Sequence, residues 1–216
     1  MSSCKYDLIL YDLDGTIWDS VGVIMDSFKA CYQEVLGSCD RTDEDLMSYI
    51  GRPLIDTFEM HDAITAQKLF DAYLVINERY LRADALQLFP NVMEDLTAIK
   101  NLGIKQGVVT SKKEDSASIT LELRGLDTFF NVYGFKESTS KHKPDAEPLI
   151  WAASQAGITD MSRVLYVGDA MPDCLCAKNA GSDFALVSWS KMDKDAIMAA
   201  GPVNSRLIDR IIEIVK

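Results

Sequence analysis

The chain has 216 residues, of which 48% are hydrophobic, and it carries a formal net charge of −11. That length suits one large domain or a core domain with an inserted lobe, and the apolar content is sufficient for a packed core. The acidic charge argues against nucleic acid as a partner, because a phosphate backbone is bound by clustered Lys and Arg side chains.

The sequence contains no run of about 18 uncharged apolar residues, so we expect no membrane span. Its first residues, MSSCKYD, lack the charged and then apolar pattern of a secretory signal. Five cysteines are scattered without the spacing of a disulfide framework, which is typical of reduced thiols. These features predict a cytoplasmic protein. They leave its oligomeric state open.

The first predicted strand is an apolar run at residues 8–12, and it ends in two aspartates, Asp12 and Asp14. Open α/β folds place their ligand sites at the carboxyl ends of such strands. Two carboxylates this close repel each other unless a cation or a shared proton offsets the repulsion. The pair therefore indicates a site of chemistry.

The segment that follows the first strand differs from the rest of the chain. Residues 19–84 contain no convincing strand, and apolar residues from Val21 to Val35 follow helical spacing over four turns. A connection of this length needs a packed core of its own. We therefore predict a helical cap domain at residues 18–84, inserted into a catalytic core formed by residues 1–17 and 85–216.

Four more apolar runs, at residues 104–110, 132–135, 164–167 and 184–187, are predicted strands. Helical patterns separate them, and this alternation is typical of βαβ units. The predicted fold is α/β, with a doubly wound, mainly parallel, Rossmann-like sheet of five or six strands and an inserted α-helical cap.

Local signals predict where three helices of the core begin. Asn91 with Glu94, and Ser111 with Glu114, have the spacing of a capping box. Pro144 is suited to the first turn of a further helix, because that position needs no backbone N–H.

Polar groups follow the later strands at the same edge of the predicted sheet. Thr110 and Ser111 follow the second strand, Lys143 precedes a helix, and Asp169 and Asp173 follow the fourth strand. Because the carboxyl ends of parallel strands face the same way, these groups should converge with the first aspartates. The predicted site contains these side chains: Asp12, Asp14, Thr110, Lys143, Asp169 and Asp173.

This inventory predicts a particular chemistry. Several carboxylates in one pocket favour a hard divalent cation, and Mg²⁺ takes a few carboxylates together with a substrate phosphate. A lysine and a hydroxyl add favourable groups for the same anion. One carboxylate attacks phosphorus, and its neighbour two residues on gives a proton to the leaving oxygen and later activates water. The predicted partner is a small phosphorylated metabolite.

With these motifs in place, the chain resembles the haloacid dehalogenase superfamily of aspartyl-phosphate phosphatases. It is similar to the phosphoglycolate phosphatase-like branch, in which a helical cap follows the first motif. The resemblance rests on four motifs in order: DLDGT from Asp12, Thr110 in GVVTSK, Lys143 in HKPDAEPL, and GDAMPD ending at Asp173.

The resemblance implies a role for each matching residue. Asp12 would be the nucleophile and a Mg²⁺ ligand, and Asp14 would be the acid/base, with its main-chain carbonyl on the metal. Thr110 and Lys143 would hold the phosphoryl group. Asp169 would bind Mg²⁺ directly or through water, with Asp173 in support of it.

Two further residues are candidates for substrate binding. Arg52, in the sequence Gly-Arg-Pro of the predicted cap, could meet a second anionic group of the substrate. Ser111 adjoins Thr110 but is also the predicted cap of the next helix. Arg52 favours a substrate with two anionic groups, and phosphoglycolate, pyrophosphate, a sugar phosphate and a nucleotide all remain possible.

Two alternatives to a phosphatase stay open at this stage. A phosphomutase resembling β-phosphoglucomutase would share all four motifs and return the phosphoryl group to a sugar. A non-catalytic binding or regulatory protein on the same scaffold would be expected to lack some motifs, and none is missing here.

Overall fold

The computed structural model of the chain describes residues 4–50, 54–83 and 86–215. Contacts divide the chain into two compact units, the first comprising Met1–Asp19 with Leu88–Lys216 and the second comprising Ser20–Gln87. Among the helices that the structure describes, none combines the length and apolar content of a membrane span.

The described strands have the following bounds: β1 Leu8–Tyr11, β2 Trp18–Asp19, β3 Gln87–Leu88, β4 Lys105–Val109, β5 Val132–Gly134, β6 Val164–Gly168, β7 Asp183–Val187 and β8 Arg206–Ile208. The α-helices are α1 Val21–Leu36, α2 Asp43–Met47, α3 Ala63–Arg82, α4 Val92–Asn101, α5 Glu114–Leu123, α6 Glu147–Gln155, α7 Met171–Ala180 and α8 Lys194–Ala200. Within the described ranges, short 3₁₀ helices lie at Asp56–Phe58, Lys136–Ser138, Met161–Arg163 and Ile211–Val215.

The first unit is built on a six-stranded sheet in the order β5-β4-β1-β6-β7-β8, and all of its neighbouring strands are parallel. This arrangement confirms the predicted α/β fold. β1 lies in the middle, with Tyr11 opposite Val108 of β4 and Val167 of β6. The strand that ends in the first aspartate therefore has a neighbour on each side that can bring polar groups to the same edge.

Burial explains why β1 and β6 are apolar along their whole length. Every residue of both strands is buried, as expected for parallel strands that are covered on both faces. α6 and α7 contribute to the core beside them, through residues such as Leu149 and Ala177. The sheet is thus a rigid support for whatever side chains follow its strands.

The second unit has a separate core made mainly by helices α1 and α3. Phe28 lies in this core, with its ring centroid 5.4 Å from that of Tyr49, 5.9 Å from Phe58 and 4.7 Å from Tyr73. This packing accounts for the helical spacing of apolar residues in the segment, since each helix buries one face.

The structure also corrects three local predictions. The helix after Asn91 begins without a side-chain cap, because Asn91 has φ 67° and lies in the left-handed region. Ser111 does not cap α5, which begins at Glu114 with Lys113 in the cap position. Pro144 lies before α6, and it is Pro148 that occupies the first turn.

A three-residue strand, β8, extends the sheet beyond the five apolar runs to six strands.

Candidate active site

Three polar residues stand one position beyond the ends of neighbouring strands. Asp12 follows β1 and its backbone N–H donates to Val167 O at 2.9 Å, so the ladder continues up to the aspartate itself. Thr110 follows β4 and donates in the same way to Gly134 O at 2.9 Å. Asp169 follows β6. The parallel sheet therefore brings these three residues to one edge.

Lys143 is at the centre of the charged groups at this edge. Its Nζ lies 2.9 Å from Asp12 Oδ1 and 2.6 Å from Asp173 Oδ1. The side chains are 6%, 10% and 2% exposed for Lys143, Asp12 and Asp173, so water screens these ion pairs poorly. Burial alone would lower the pKa of Lys143, but the two carboxylates raise it above its ordinary value, and the lysine is held as a cation.

Asp173 joins this cluster to the start of helix α7. Its Oδ1 accepts from Lys143, and its Oδ2 accepts from the backbone N–H groups of Asp169, at 3.2 Å, and Ala170, at 3.1 Å. Both carboxylate oxygens thus have protein donors. This arrangement fits a residue that orients Lys143 and the loop of Asp169 better than one devoted to a metal ion.

Tyr166, in the interior of β6, is a contact of Lys143 that the sequence analysis missed. Its hydroxyl donates to Val109 O at 2.8 Å, accepts from Lys143 Nζ at 3.0 Å and lies 3.1 Å from Asp173 Oδ1. The residue is fully buried. A polar atom in an otherwise apolar strand, three positions before Asp169, was the signal that could have revealed it.

Asp14 lies in a different environment from Asp12, although only one residue separates them. Trp18 Nε1 donates to Asp14 Oδ1 at 2.7 Å, and Lys112 Nζ lies 3.2 Å from Asp14 Oδ2. Its side chain is 29% exposed. The repulsion expected between the two aspartates is thus reduced because each has its own lysine, and Asp14 remains accessible to a reacting group.

The two hydroxyl residues of the second motif differ in position. Thr110 is buried, and its Oγ1 accepts from the backbone N–H of Lys112 at 3.2 Å. Ser111 is exposed in the bend before α5. Arg52, the candidate from the helical segment, lies outside the described residues.

Two glycines allow the acidic groups to approach the backbone so closely. Gly15 has φ +77°, and a Cβ there would collide with the carboxylate of Asp169. A Cβ on Gly168 would lie only 2.6 Å from Cβ of Asp173. Such approaches are one of the main uses of glycine in a fold. The acidic cluster therefore depends on both residues.

Asp12, Asp169 and Asp173 each offer an oxygen, and these oxygens lie within 4.8 Å of one another. Burial raises the pKa of both Asp12 and Asp169, and the neighbouring carboxylates raise the pKa of Asp169 further. A divalent cation beside them would offset this cost of ionisation. The close-set oxygens, and the space that Gly15 leaves for the Asp169 carboxylate, fit a hard ion such as Mg²⁺.

Comparison with known proteins agrees with this geometry. The sequence profile of the haloacid dehalogenase-like hydrolases matches residues 9–187. A Clostridium perfringens protein named "Putative pyrophosphatase PpaX" is 34% identical over 206 residues, which are 95% of this chain and 94% of that protein. The Bacillus velezensis protein named "Pyrophosphatase PpaX" is 30% identical over 203 residues, which are 94% of this chain and 92% of that protein.

Among solved structures, a Bacteroides fragilis protein named "Putative haloacid dehalogenase-like hydrolase" superposes with a TM-score of 0.84 and 26% identity. This chain is covered to 97% and that chain to 100%. The likeness extends over both units of the chain, so the match is not confined to the sheet.

We expect Gly168→Ala to lower the free energy of unfolding by about 2 kcal/mol, because the added methyl must displace Asp173 or the end of β6. Thermal or urea unfolding followed by circular dichroism measures this change. Gly22→Ala is the matched control, since a Cβ there meets nothing within 4 Å. Equal stability of the two variants would show that the site tolerates the methyl and would contradict the packing argument.

Proposed function

Because the chain belongs to the haloacid dehalogenase-like hydrolases, we propose that it is a Mg²⁺-dependent phosphatase acting through an aspartyl-phosphate on Asp12. The observation that carries this proposal is the contact of buried Lys143 with both Asp12 and Asp173. This contact lies at the edge of the sheet where Thr110 and Asp169 follow the ends of their strands. One cation then contacts the carboxylate that would attack phosphorus, and one hydroxyl residue lies at the end of the neighbouring strand.

The first proposed step is a displacement at phosphorus. An oxygen of Asp12 forms a bond to phosphorus while the bond from phosphorus to the leaving oxygen breaks. Asp14, which is more exposed than Asp12, gives a proton to that oxygen. Lys143 and Thr110 hold the oxygens of the phosphoryl group as its charge is redistributed.

The second step restores the enzyme. Asp14 takes a proton from water, the water oxygen bonds to phosphorus, and the bond between phosphorus and Asp12 breaks. Inorganic phosphate leaves and both aspartates return to their starting forms. Trp18 and Lys112 support this exchange because their contacts keep the Asp14 carboxylate in one place through both steps.

Asp12 and Asp169 are the proposed side-chain ligands of Mg²⁺, together with the main-chain carbonyl of Asp14. Asp173 supports them, since its own oxygens already accept from Lys143 and from the backbone. When bound, the ion supplies positive charge to the phosphoryl oxygens and offsets the repulsion among the carboxylates.

For the substrate, we propose a small soluble molecule with a phosphate ester or anhydride bond. Pyrophosphate ranks first because two relatives at 34% and 30% identity are named pyrophosphatases. A phosphoglycolate-like monoester also carries two anionic groups and ranks second. The helical unit, Ser20–Gln87, is proposed to act as the cap that selects the leaving group.

Asp12→Asn should abolish turnover, with a loss of roughly 10⁴-fold or more, because an amide is a very poor nucleophile toward phosphorus. Release of inorganic phosphate from pyrophosphate, phosphoglycolate and p-nitrophenyl phosphate measures the effect. Asp7→Asn, an exposed aspartate that pairs with Arg163, is the control and should retain full activity. Undiminished hydrolysis by the Asp12 variant would refute the assignment of the nucleophile.

Asp14→Asn should affect poor leaving groups most, because an alkoxide needs a proton whereas p-nitrophenolate does not. For alkyl phosphates we expect kcat/KM to fall roughly 10²- to 10⁴-fold, with a clearly smaller loss for p-nitrophenyl phosphate. The two substrates, compared on the same enzyme preparation, control for misfolding. An identical loss for both would argue against Asp14 as the acid.

Adding MgCl₂ should raise the melting temperature of the wild-type protein, because a ligand that binds only the folded state stabilises it. Asp169→Asn should weaken this binding roughly 10- to 100-fold, an effect that even outer partners of a metal can have. Melting temperatures measured over a series of MgCl₂ concentrations give both the stabilisation of the wild type and the weaker binding by the variant. Asp7→Asn is the control. If the Asp169 variant kept the wild-type response, Asp169 would not be a ligand.

A further inference from the structure

The ammonium group of Lys143 has its full complement of acceptors within the protein. An ammonium has three N–H donors and no acceptor. Three oxygens surround this one: Asp12 Oδ1 at 2.9 Å, Asp173 Oδ1 at 2.6 Å and the Tyr166 hydroxyl at 3.0 Å. Lys143 can therefore receive a phosphoryl oxygen only if it gives up one of these contacts.

The three contacts are not equal in strength. Those to Asp12 and Asp173 join opposite charges and are charge-assisted at both ends, whereas the Tyr166 hydroxyl is neutral. Burial, together with the charges of Asp173 and Asp12, raises the pKa of Tyr166 well above its ordinary value, so the hydroxyl stays protonated. The contact to the hydroxyl is thus the easiest to exchange for a phosphoryl oxygen.

The hydroxyl is also held in place without the lysine. It donates to Val109 O at 2.8 Å, and Tyr166 is fully buried in the middle of β6. Its position is set by the sheet, since Tyr166 lies opposite Leu10 of β1 and Phe184 of β7. Tyr166 therefore stays where it is when Lys143 turns away from it.

We propose that the Tyr166 hydroxyl is a placeholder, which accepts the third N–H of Lys143 in the free enzyme and releases it when a phosphoryl oxygen arrives. This inference rests on the proposed function, because it assigns Lys143 to the phosphoryl group. It makes Tyr166 a positioning residue: Tyr166 acts through Lys143 and does not touch the substrate.

The placeholder has an unusual consequence for affinity. Only an interaction that differs between the free and the loaded enzyme changes the affinity. The contacts of the Tyr166 hydroxyl with Val109 O and Asp173 Oδ1 do not involve the lysine, so they are present in both forms and cancel. The bond from Lys143 to Tyr166 exists only in the free form. Tyr166→Phe should therefore make the protein less stable and yet bind a phosphate-like anion more tightly.

The test is calorimetric titration of orthovanadate into the protein in the presence of MgCl₂, with thermal unfolding of each variant. For Tyr166→Phe we expect the dissociation constant to fall about fivefold, the factor that corresponds to one net hydrogen bond, and the melting temperature to fall as well. Tyr11→Phe is the matched control. Tyr11 is equally buried, and its hydroxyl donates to Gln106 Oε1 at 2.9 Å. That control should lose stability without any change in affinity for orthovanadate.

A double-mutant cycle separates the placeholder from a general loosening of the site. In a Lys143→Met background, Tyr166→Phe should leave the affinity for orthovanadate unchanged, because no N–H remains to be exchanged. If Tyr166→Phe is unfolded at room temperature, the titrations of the wild type and of all variants are made at about 10 °C, near the temperature at which globular proteins are most stable.

These experiments distinguish a failure of the placeholder proposal from a failure of the proposed function. Weaker or unchanged binding of orthovanadate by Tyr166→Phe, alongside normal binding by the wild type, would overturn the placeholder and leave the phosphatase assignment standing. A wild-type protein that binds no orthovanadate, and in which Lys143→Met changes nothing, would overturn both.

Discussion

The buried contact of one lysine with two carboxylates is the interaction on which the arrangement of this site depends. Lys143 comes from a loop, Asp12 from the end of β1, and Asp173 from the first turn of α7. Breaking such a group by removing one partner leaves a buried charge without compensation and costs several kcal/mol. The three segments are thus tied to one another at the point where the proposed reaction takes place.

Even with Lys143 present, the site has more carboxylates than cations. A phosphatase can use this excess of negative charge to hold a metal ion. Oxygens of Asp12, Asp169 and Asp173 lie within 4.8 Å of one another, and a divalent cation bound there would offset their repulsion. The proposed Mg²⁺ and Lys143 would then both supply positive charge to a phosphoryl group. The absence of side chains at Gly15 and Gly168 is what permits this density of carboxylates.

Sequence reasoning located the groups whose positions follow from strand ends, and it missed the groups whose roles depend on distance. Asp12, Thr110 and Asp169 were predictable because parallel strands expose their carboxyl ends at one edge. Tyr166 could have been noticed as a polar atom in an apolar strand, but its partner could not be predicted, and neither could that of Trp18, since nothing local in the sequence says which atom a buried hydroxyl or indole N–H will reach. The predicted capping bonds were also wrong, although α4 does begin directly after Asn91. Neither α4 nor α5 begins with a side-chain cap, because the conformation of the loop before each helix decides whether a nearby polar side chain can reach the first backbone N–H groups.

The sequence by itself determined the α/β class, the helical character of the segment after the first strand, predicted at residues 18–84, and the set of acids, hydroxyl and lysine that form the candidate site. These follow from hydrophobic period and from motif spacing, which are local or nearly local properties. Only the tertiary structure decided that Lys143 contacts Asp12, Asp173 and Tyr166 together, and that Asp14 pairs instead with Lys112 and Trp18. Those choices depend on ångström-scale distances between segments far apart in the chain, and such distances are set by the register of the sheet and the packing of its helices.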